Sequence, residues 1–293
     1  MHRNMQYEGN VIRPPSEAHS IILQVTTGCS HNTCTFCGAY KDKPFRIREE
    51  ALILADLAFA AKYCQRQNTV FLADGNALAI PQEKLVQLMS LIRKKLPHIR
   101  RISLYANSQD IVSRSLDDLL NLKELGLGRI YMGLESGHDS ILKMIGKGVD
   151  SKKMIRAGRL AREAGLFLSV TVLLGIGGML YSNAHAIATA SVLNEMKPSQ
   201  IAVLTLMILD DTPLGRQYKN GQFQLPDRNT LFTELRTLLT HLGSFRTQFQ
   251  SNHASNYFTL DGRLPKDKDK FIELVDLAIK GSVNLKPESL RAL

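Results

Sequence analysis

The chain has 293 residues, of which 44% are hydrophobic and 22% charged, the balance of a globular protein able to bury a sizeable core. No run approaches the roughly 18 apolar residues of a membrane span, and Met1–Glu8 lacks the apolar centre of a secretory leader, so a cytoplasmic location is expected. The net charge of +10 reads as a solvated basic surface, with local clusters at Lys41, Lys43, Arg46 and Arg48 and from Arg93 to Arg101; no RNA- or DNA-binding module accompanies it, so nucleic acid is the weaker partner.

Six strand-like runs follow one another: 20–26, 69–73, 101–106, 129–134, 166–174 and 199–206. Helical patterns separate them, at 49–65, 82–96, 110–125, 152–164 and 183–195. Pro81 precedes the second helix, Ser151 is the expected N-cap of the fourth, and Gly126 and Gly165 fall where a helix end needs a left-handed residue. Strands this rich in Val, Ile and Leu are buried on both faces, which argues for parallel strands covered by helices. The expected fold class is α/β, a partial (β/α)6 TIM-like barrel with C-terminal helices; a doubly wound sheet is the alternative. The expected division is an N-terminal extension (1–18), a core (19–246) and a C-terminal helical extension (247–293). In either architecture the active site belongs at the carboxyl ends of the strands.

The loop after the first strand is the densest chemical signal. Cys29, Cys34 and Cys37 fall inside nine residues, spaced Cys-x4-Cys-x2-Cys. Clustered thiols in a reducing compartment indicate a metal and not a disulfide framework. Three thiolates are one short of a closed structural zinc site, but suit a cubane iron–sulfur cluster with one iron open. His31 would complete a Cys3His zinc site as the alternative. Cys64, at the end of the first helix, reads as a small packing residue.

Other strand ends carry further candidates. Asp74-Gly75 follows the second strand, where a simple turn is the plainer reading. Asn107 follows the third and offers an amide to ribose or substrate. Glu135 ends the fourth, before Ser136-Gly137; Ser136-x-x-Asp139 also fits a capping box. Lys147 lies twelve residues further on. Thr171 and Ser169 share one face of the fifth strand, which runs into Gly175, Gly177 and Gly178. The polar stretch 251–257, with Asn252 and His253, could close the barrel mouth.

Taken with Arg13–Ala18, Thr27-Gly28-Cys29, Thr35-Phe36-Cys37, Phe71–Gly75 and Gly133–Gly137, these motifs resemble the radical S-adenosylmethionine superfamily, on the branch of Elp3 and the oxygen-independent coproporphyrinogen oxidases. The usual spacing there is Cys-x3-Cys-x2-Cys, so this loop is one residue longer. The resemblance implies a 4Fe-4S cluster on Cys29, Cys34 and Cys37, with S-adenosylmethionine on the open iron. It places Asp74 and Gly75 beside the methionine amino group, Lys147 at the methionine carboxylate and Thr171 at the ribose. Glu135 and Asn107 join them as cofactor contacts. The three glycines lie beside adenine, where Met179-Leu180-Tyr181 follow in place of the acidic residue of many relatives.

The implied activity is reductive cleavage of the cofactor to a 5′-deoxyadenosyl radical that acts on a substrate, with no catalytic residue assigned. The implied partners are a reductase or a flavodoxin or ferredoxin as electron donor, and a small-molecule substrate. An RNA-modifying radical enzyme and a non-catalytic iron–sulfur or zinc-binding redox sensor stand as alternatives. With four cysteines and this length, neither a second four-cysteine cluster nor an appended cobalamin domain is expected.

Overall fold

The computed structural model describes residues 5–292. The chain forms two compact units that interleave in sequence: one takes the residues up to Asn32, then Ala39–Met132 and Leu160–Phe167; the other takes Thr33–Gly38, Gly133–Arg159 and everything from Leu168.

The first unit contains β1 (Ile21–Gln24), the short pair β2 (Thr26–Thr27) and β3 (Arg46–Ile47), α1 (Glu50–Tyr63), β4 (Thr69–Ala73), α2 (Gln82–Lys95), β5 (Arg101–Tyr105), α3 (Ser108–Val112), α4 (Leu116–Glu124) and most of β6 (Leu127–Glu135). Strands β1, β4, β5 and β6 run parallel in that order, and Leu23, Leu72, Leu104 and Ile130 lie abreast in one buried row. The opposite pleat brings together Phe71, Tyr105 and Tyr131, with Phe71 edge-on to Tyr105 at 5.1 Å between centroids. Leu85, Met89 and Ile92 form the buried stripe that seats α2.

The helix expected over 110–125 is instead two, α3 and α4. Ser115 breaks it: its hydroxyl accepts from Asp118 N while Asp118 accepts from Ser115 N, a complete capping box. Gly126 and Gly165 take the left-handed conformation expected of them, at φ 105° and 67°. At the amino ends of the strands a turn over Pro15–Glu17 buries the Glu17 carboxylate. It accepts from Arg101 Nη2 at 3.1 Å, Tyr131 Oη at 2.6 Å and Ser20 Oγ at 2.5 Å.

The second unit contains α5 (Asp139–Met144), most of α6 (Ser151–Glu163), β7 (Phe167–Leu174), α7 (Gly178–Met196), β8 (Gln200–Thr205), α8 (Pro213–Lys219), α9 (Arg228–His241), β9 (Thr247–Ser251), β10 (Leu260–Leu264) and α10 (Lys268–Ile279). Strands β7, β8 and β9 are parallel, with Val170, Ile201 and Phe249 abreast in the core, and β10 returns antiparallel to β9. Residues 247–293 therefore begin with two strands where a helical extension was expected. The reason is compositional: Thr-Gln-Phe-Gln-Ser buries alternate residues, but Phe249 alone is large and apolar. At α6 the cap is Asp150 and not Ser151, because the Asp150 carboxylate accepts from Lys153 N at 2.7 Å. All six expected strands are present, so the architecture is mixed α/β with mostly parallel strands. Among the described residues no helix is long and apolar enough to cross a membrane.

Candidate functional site

In the first unit, Gly28 turns the chain out of β2 at φ 68°, where a Cβ would stand 2.5 Å from Lys43 O. Cys29 follows, half-buried. Gly75, after β4, donates its N–H to Gly28 O at 3.1 Å. A Cβ on Gly75 would lie 2.7 Å from Tyr40 Cε2 and 3.0 Å from Cys29 Cβ, so the second strand end and the first cysteine approach as only glycine permits.

Asp74 is fully buried beside it. Its Oδ2 accepts from Gln24 Nε2 at 3.0 Å and faces Lys43 Nζ at 3.5 Å. Its Oδ1 is buried without a hydrogen-bond partner among the described residues. Burial pushes this carboxyl above the usual range; Gln24, Lys43 and the nearby Gly28 backbone oppose the rise.

Asn107, expected to offer its amide to ribose or substrate, donates from that amide to Ser30 Oγ at 3.3 Å. Its N–H is held by Asn76 Oδ1, and Asn76 Nδ2 reaches Ser30 Oγ at 2.6 Å and Asp110 Oδ2 at 2.7 Å. Asn76 is a fully buried organiser of the cysteine loop that the sequence reading missed. Its signal was its place two residues past Asp74.

In the second unit the rest of the cysteine loop is pinned from two sides. Thr33 Oγ1 donates to Gly146 O at 3.1 Å, Thr35 N to Ile145 O at 2.9 Å, and Leu214 N to Thr35 O at 2.9 Å. Between these anchors Cys34 is 8% exposed, and Phe36 and Cys37 follow half-buried.

Glu135 and Lys147, expected on the same cofactor, meet here as an ion pair, Nζ to Oε1 3.0 Å. Glu135 sits at φ 62°, left-handed for a residue with a side chain, a costly conformation that clusters at functional sites. A Cβ at Gly133 would collide with Glu135 Oε1 and lie 3.0 Å from Lys147 Nζ. Thr171 is half-buried on the pleat it shares with Ser169.

Ser136 does not cap α5 with Asp139. Its hydroxyl pairs with His185 Nδ1 at 2.8 Å and accepts from His138 N, while Asp139 accepts from Ser151 N. Behind this strand end lies a buried carboxylate absent from the expectations. Glu234 accepts from Gly175 N at 2.7 Å and from Ser182 Oγ, and its Oε1 lies 3.5 Å from His185 Nε2. Its signal was a glutamate inside the apolar stripe Leu231, Leu235, Leu238 of α9.

The 251–257 stretch locks the end of β8. Ser255 Oγ accepts from Thr205 N, and Asn256 bridges Thr205 Oγ1 and Val203 O, both at 2.8 Å. Asn252 is exposed and donates to Asp261, while His253 pairs with Ser255. Cys64 is the half-buried C-cap of α1, its thiol pushed up by burial, outside the core position expected. Among the described residues no three His, Cys, Asp or Glu side chains form a set for a single metal ion. A cubane cluster asks for another arrangement, each thiolate on its own iron.

The sequence profile of the Radical SAM superfamily matches residues 23–189. The heme chaperone HemW of Bacillus subtilis (strain 168) is 26% identical over 160 residues, 54% of this chain and 41% of that protein. Coproporphyrinogen III oxidase (HemN) from Escherichia coli shares the fold with a TM-score of 0.58 at 18% identity, over 75% of this chain and 52% of that one. The Elp3 of Methanocaldococcus infernus shares it at 0.52 and 13% identity, over 90% and 64%. The chain thus spans about two fifths of HemW and half of HemN. With more than half of its residues in the superfamily's own region, the chain belongs to the radical SAM superfamily and is an enzyme whose cofactors are a 4Fe-4S cluster and S-adenosylmethionine.

Proposed function

We propose that Cys29, Cys34 and Cys37 each hold one iron of the cluster, and that S-adenosylmethionine is bound for reductive cleavage and hydrogen abstraction from a small-molecule substrate. The observation that carries this reading is Asp74. A buried carboxylate oxygen left without a partner among the described residues is costly, and an ammonium would supply that partner. Gly75, where the backbone comes against Cys29, and three thiols on one continuous loop fit the same two groups.

When bound, the pair supplies one-electron cleavage of a sulfonium and a 5′-deoxyadenosyl radical. The chain's residues do the rest. Asp74 Oδ1 accepts from the methionine ammonium, and Gly75 lets backbone approach it. Lys147 faces the methionine carboxylate, oriented by Glu135. Thr171 and Asn107 offer a hydroxyl and an amide to the ribose. The backbone of Gly175, Gly177 and Gly178 passes beside adenine, and Phe36 excludes water from the loop. A reductase, flavodoxin or ferredoxin supplies the electron.

The test begins with iron and sulfide per chain after anaerobic reconstitution. Alanine at Cys29, Cys34 or Cys37 should abolish cluster loading, and Cys64→Ala should not. Equal iron loss in Cys64→Ala and Cys34→Ala would overturn the ligand assignment. The reduced, loaded protein should form 5′-deoxyadenosine slowly without substrate. Absence of that product, together with a paramagnetic spectrum unmoved by S-adenosylmethionine, would overturn the activity.

A further inference from the structure

Asp74 is held on Oδ2 by Gln24 and Lys43, its Oδ1 has no hydrogen-bond partner among the described residues, and both holding residues are tied to the segment 8–10. Gln24, fully buried, donates Nε2 to Asp74 Oδ2 and to Glu8 O, while its Oε1 accepts from Glu8 N at 2.8 Å. Lys43 donates Nζ to Asn10 O at 2.5 Å and faces the same Oδ2. The approach of the two segments is close: Gly9 is left-handed at φ 63°, and a Cβ there would stand 2.6 Å from Lys43 Cε. The Glu8 carboxylate is in turn paired with Arg46 and with the buried Arg48.

A carboxylate whose Oδ2 is satisfied twice cannot rotate to share that oxygen with a ligand. It presents Oδ1 alone. We infer that Gln24 and Lys43 are positioning residues for the cofactor's ammonium, and that residues 8–10 complete the cofactor cradle by fixing both. This inference rests on the reading of Asp74 given above. Lys43 has a second effect. Its positive charge opposes the rise that burial imposes on the Asp74 carboxyl and so favours the ionised form, the one that attracts an ammonium. It stands on the side of Oδ2, leaving Oδ1 to the ligand.

The test uses full-length, cluster-loaded protein and S-adenosylmethionine itself as the probe, with Kd measured anaerobically by calorimetry. Asp74→Asn should weaken binding by about tenfold or more, as expected for a lost charge-assisted hydrogen bond. Lys43→Met and Gln24→Met should each weaken it by about fivefold, and Lys43→Arg should stay within about twofold of wild type, because it restores the charge. On the Asp74→Asn background, Lys43→Met and Gln24→Met should have no further effect, the signature of residues acting through one group. A purely structural role would not produce that non-additivity or the rescue by arginine.

If Asp74→Asn binds as wild type does, the cofactor reading of Asp74 is wrong. If Asp74→Asn is weak but Lys43→Met and Gln24→Met bind normally, or their losses add fully to that of Asp74→Asn, only the positioning inference falls. Should Lys43→Met not fold, Gln24→Met carries the same comparison alone.

Discussion

Replacing Glu234 by glutamine isolates the buried carboxylate of the second unit. Glutamine has nearly the same volume, still accepts from Gly175 N, and its amide can donate to Ser182 Oγ once that hydroxyl turns. Packing is kept and the titration is removed. Burial pushes the Glu234 carboxyl up to about 7 from 4.5 and holds the imidazole of His185 down to about 3, so at mildly acidic pH both are neutral. The native state therefore binds the Glu234 proton more tightly than the unfolded chain does. The stability this contributes is complete below pH 4.5 and is lost as pH rises through about 7.

The difference amounts to about 3 kcal/mol, or roughly 5 °C in melting temperature for a chain of this size. Thermal unfolding of metal-free wild type and Glu234→Gln from about pH 4 to 8.5 measures it. The wild type should lose stability relative to the variant across that range, with the gap levelling above about pH 8. Parallel curves would refute the reasoning, since they would mean that His185 takes up the proton that Glu234 releases. Glu234→Ala provides the contrast: it strands the Gly175 N–H and the Ser182 hydroxyl in the core and should cost about 2–5 kcal/mol more than Glu234→Gln at every pH.

Glu135→Gln and Lys147→Met should weaken S-adenosylmethionine binding about 10- to 100-fold, a larger effect than on melting temperature; unchanged affinity with a large thermal loss would make their ion pair structural. Glu17→Gln should do the reverse, lowering stability by about 3 kcal/mol because it uncouples Arg101 from a fully buried partner, while cofactor affinity measured on the loaded protein stays at the wild-type value.

What could be read from the sequence was what repeats locally. Val70–Ala73 or Val170–Leu174 announce a buried strand within a few residues, and Cys29, Cys34 and Cys37 announce a metal within one loop. Thr247–Ser251 was invisible because its burial comes from neighbouring strands and not from its own hydrophobicity. The break at Ser115 was readable, since Ser-x-x-Asp stands in plain view, but the apolar period runs on across it. The candidate site divides in the same way. Asp74 and Glu135 stood out as candidates by their place at strand ends, and Lys147 through the family resemblance, by its spacing from Glu135. Gln24 and Glu234 were not, because each matters through a partner fifty or more residues away, Asp74 and Gly175 respectively. Nothing near a glutamine in a strand or a glutamate in a helix marks such a partner.

The two ends of the strands in the first unit show why the chemistry falls where it does. At the amino ends Glu17 is as buried as Asp74, yet both of its oxygens are filled by Arg101, and serine and tyrosine hydroxyls close the remainder. That carboxylate has nothing left to bind and serves the fold. At the carboxyl ends Asp74 is held on Oδ2 by Gln24 and Lys43, and among the described residues Oδ1 has no hydrogen-bond partner within normal distance. Two buried acids of the same unit thus differ by one unmade bond. Folding alone would favour filling it, because a buried polar atom left bare destabilises the native state. On the proposed reading, a site that takes up and releases a charged ligand has that bond supplied from outside, and the test is the loss of S-adenosylmethionine affinity in Asp74→Asn.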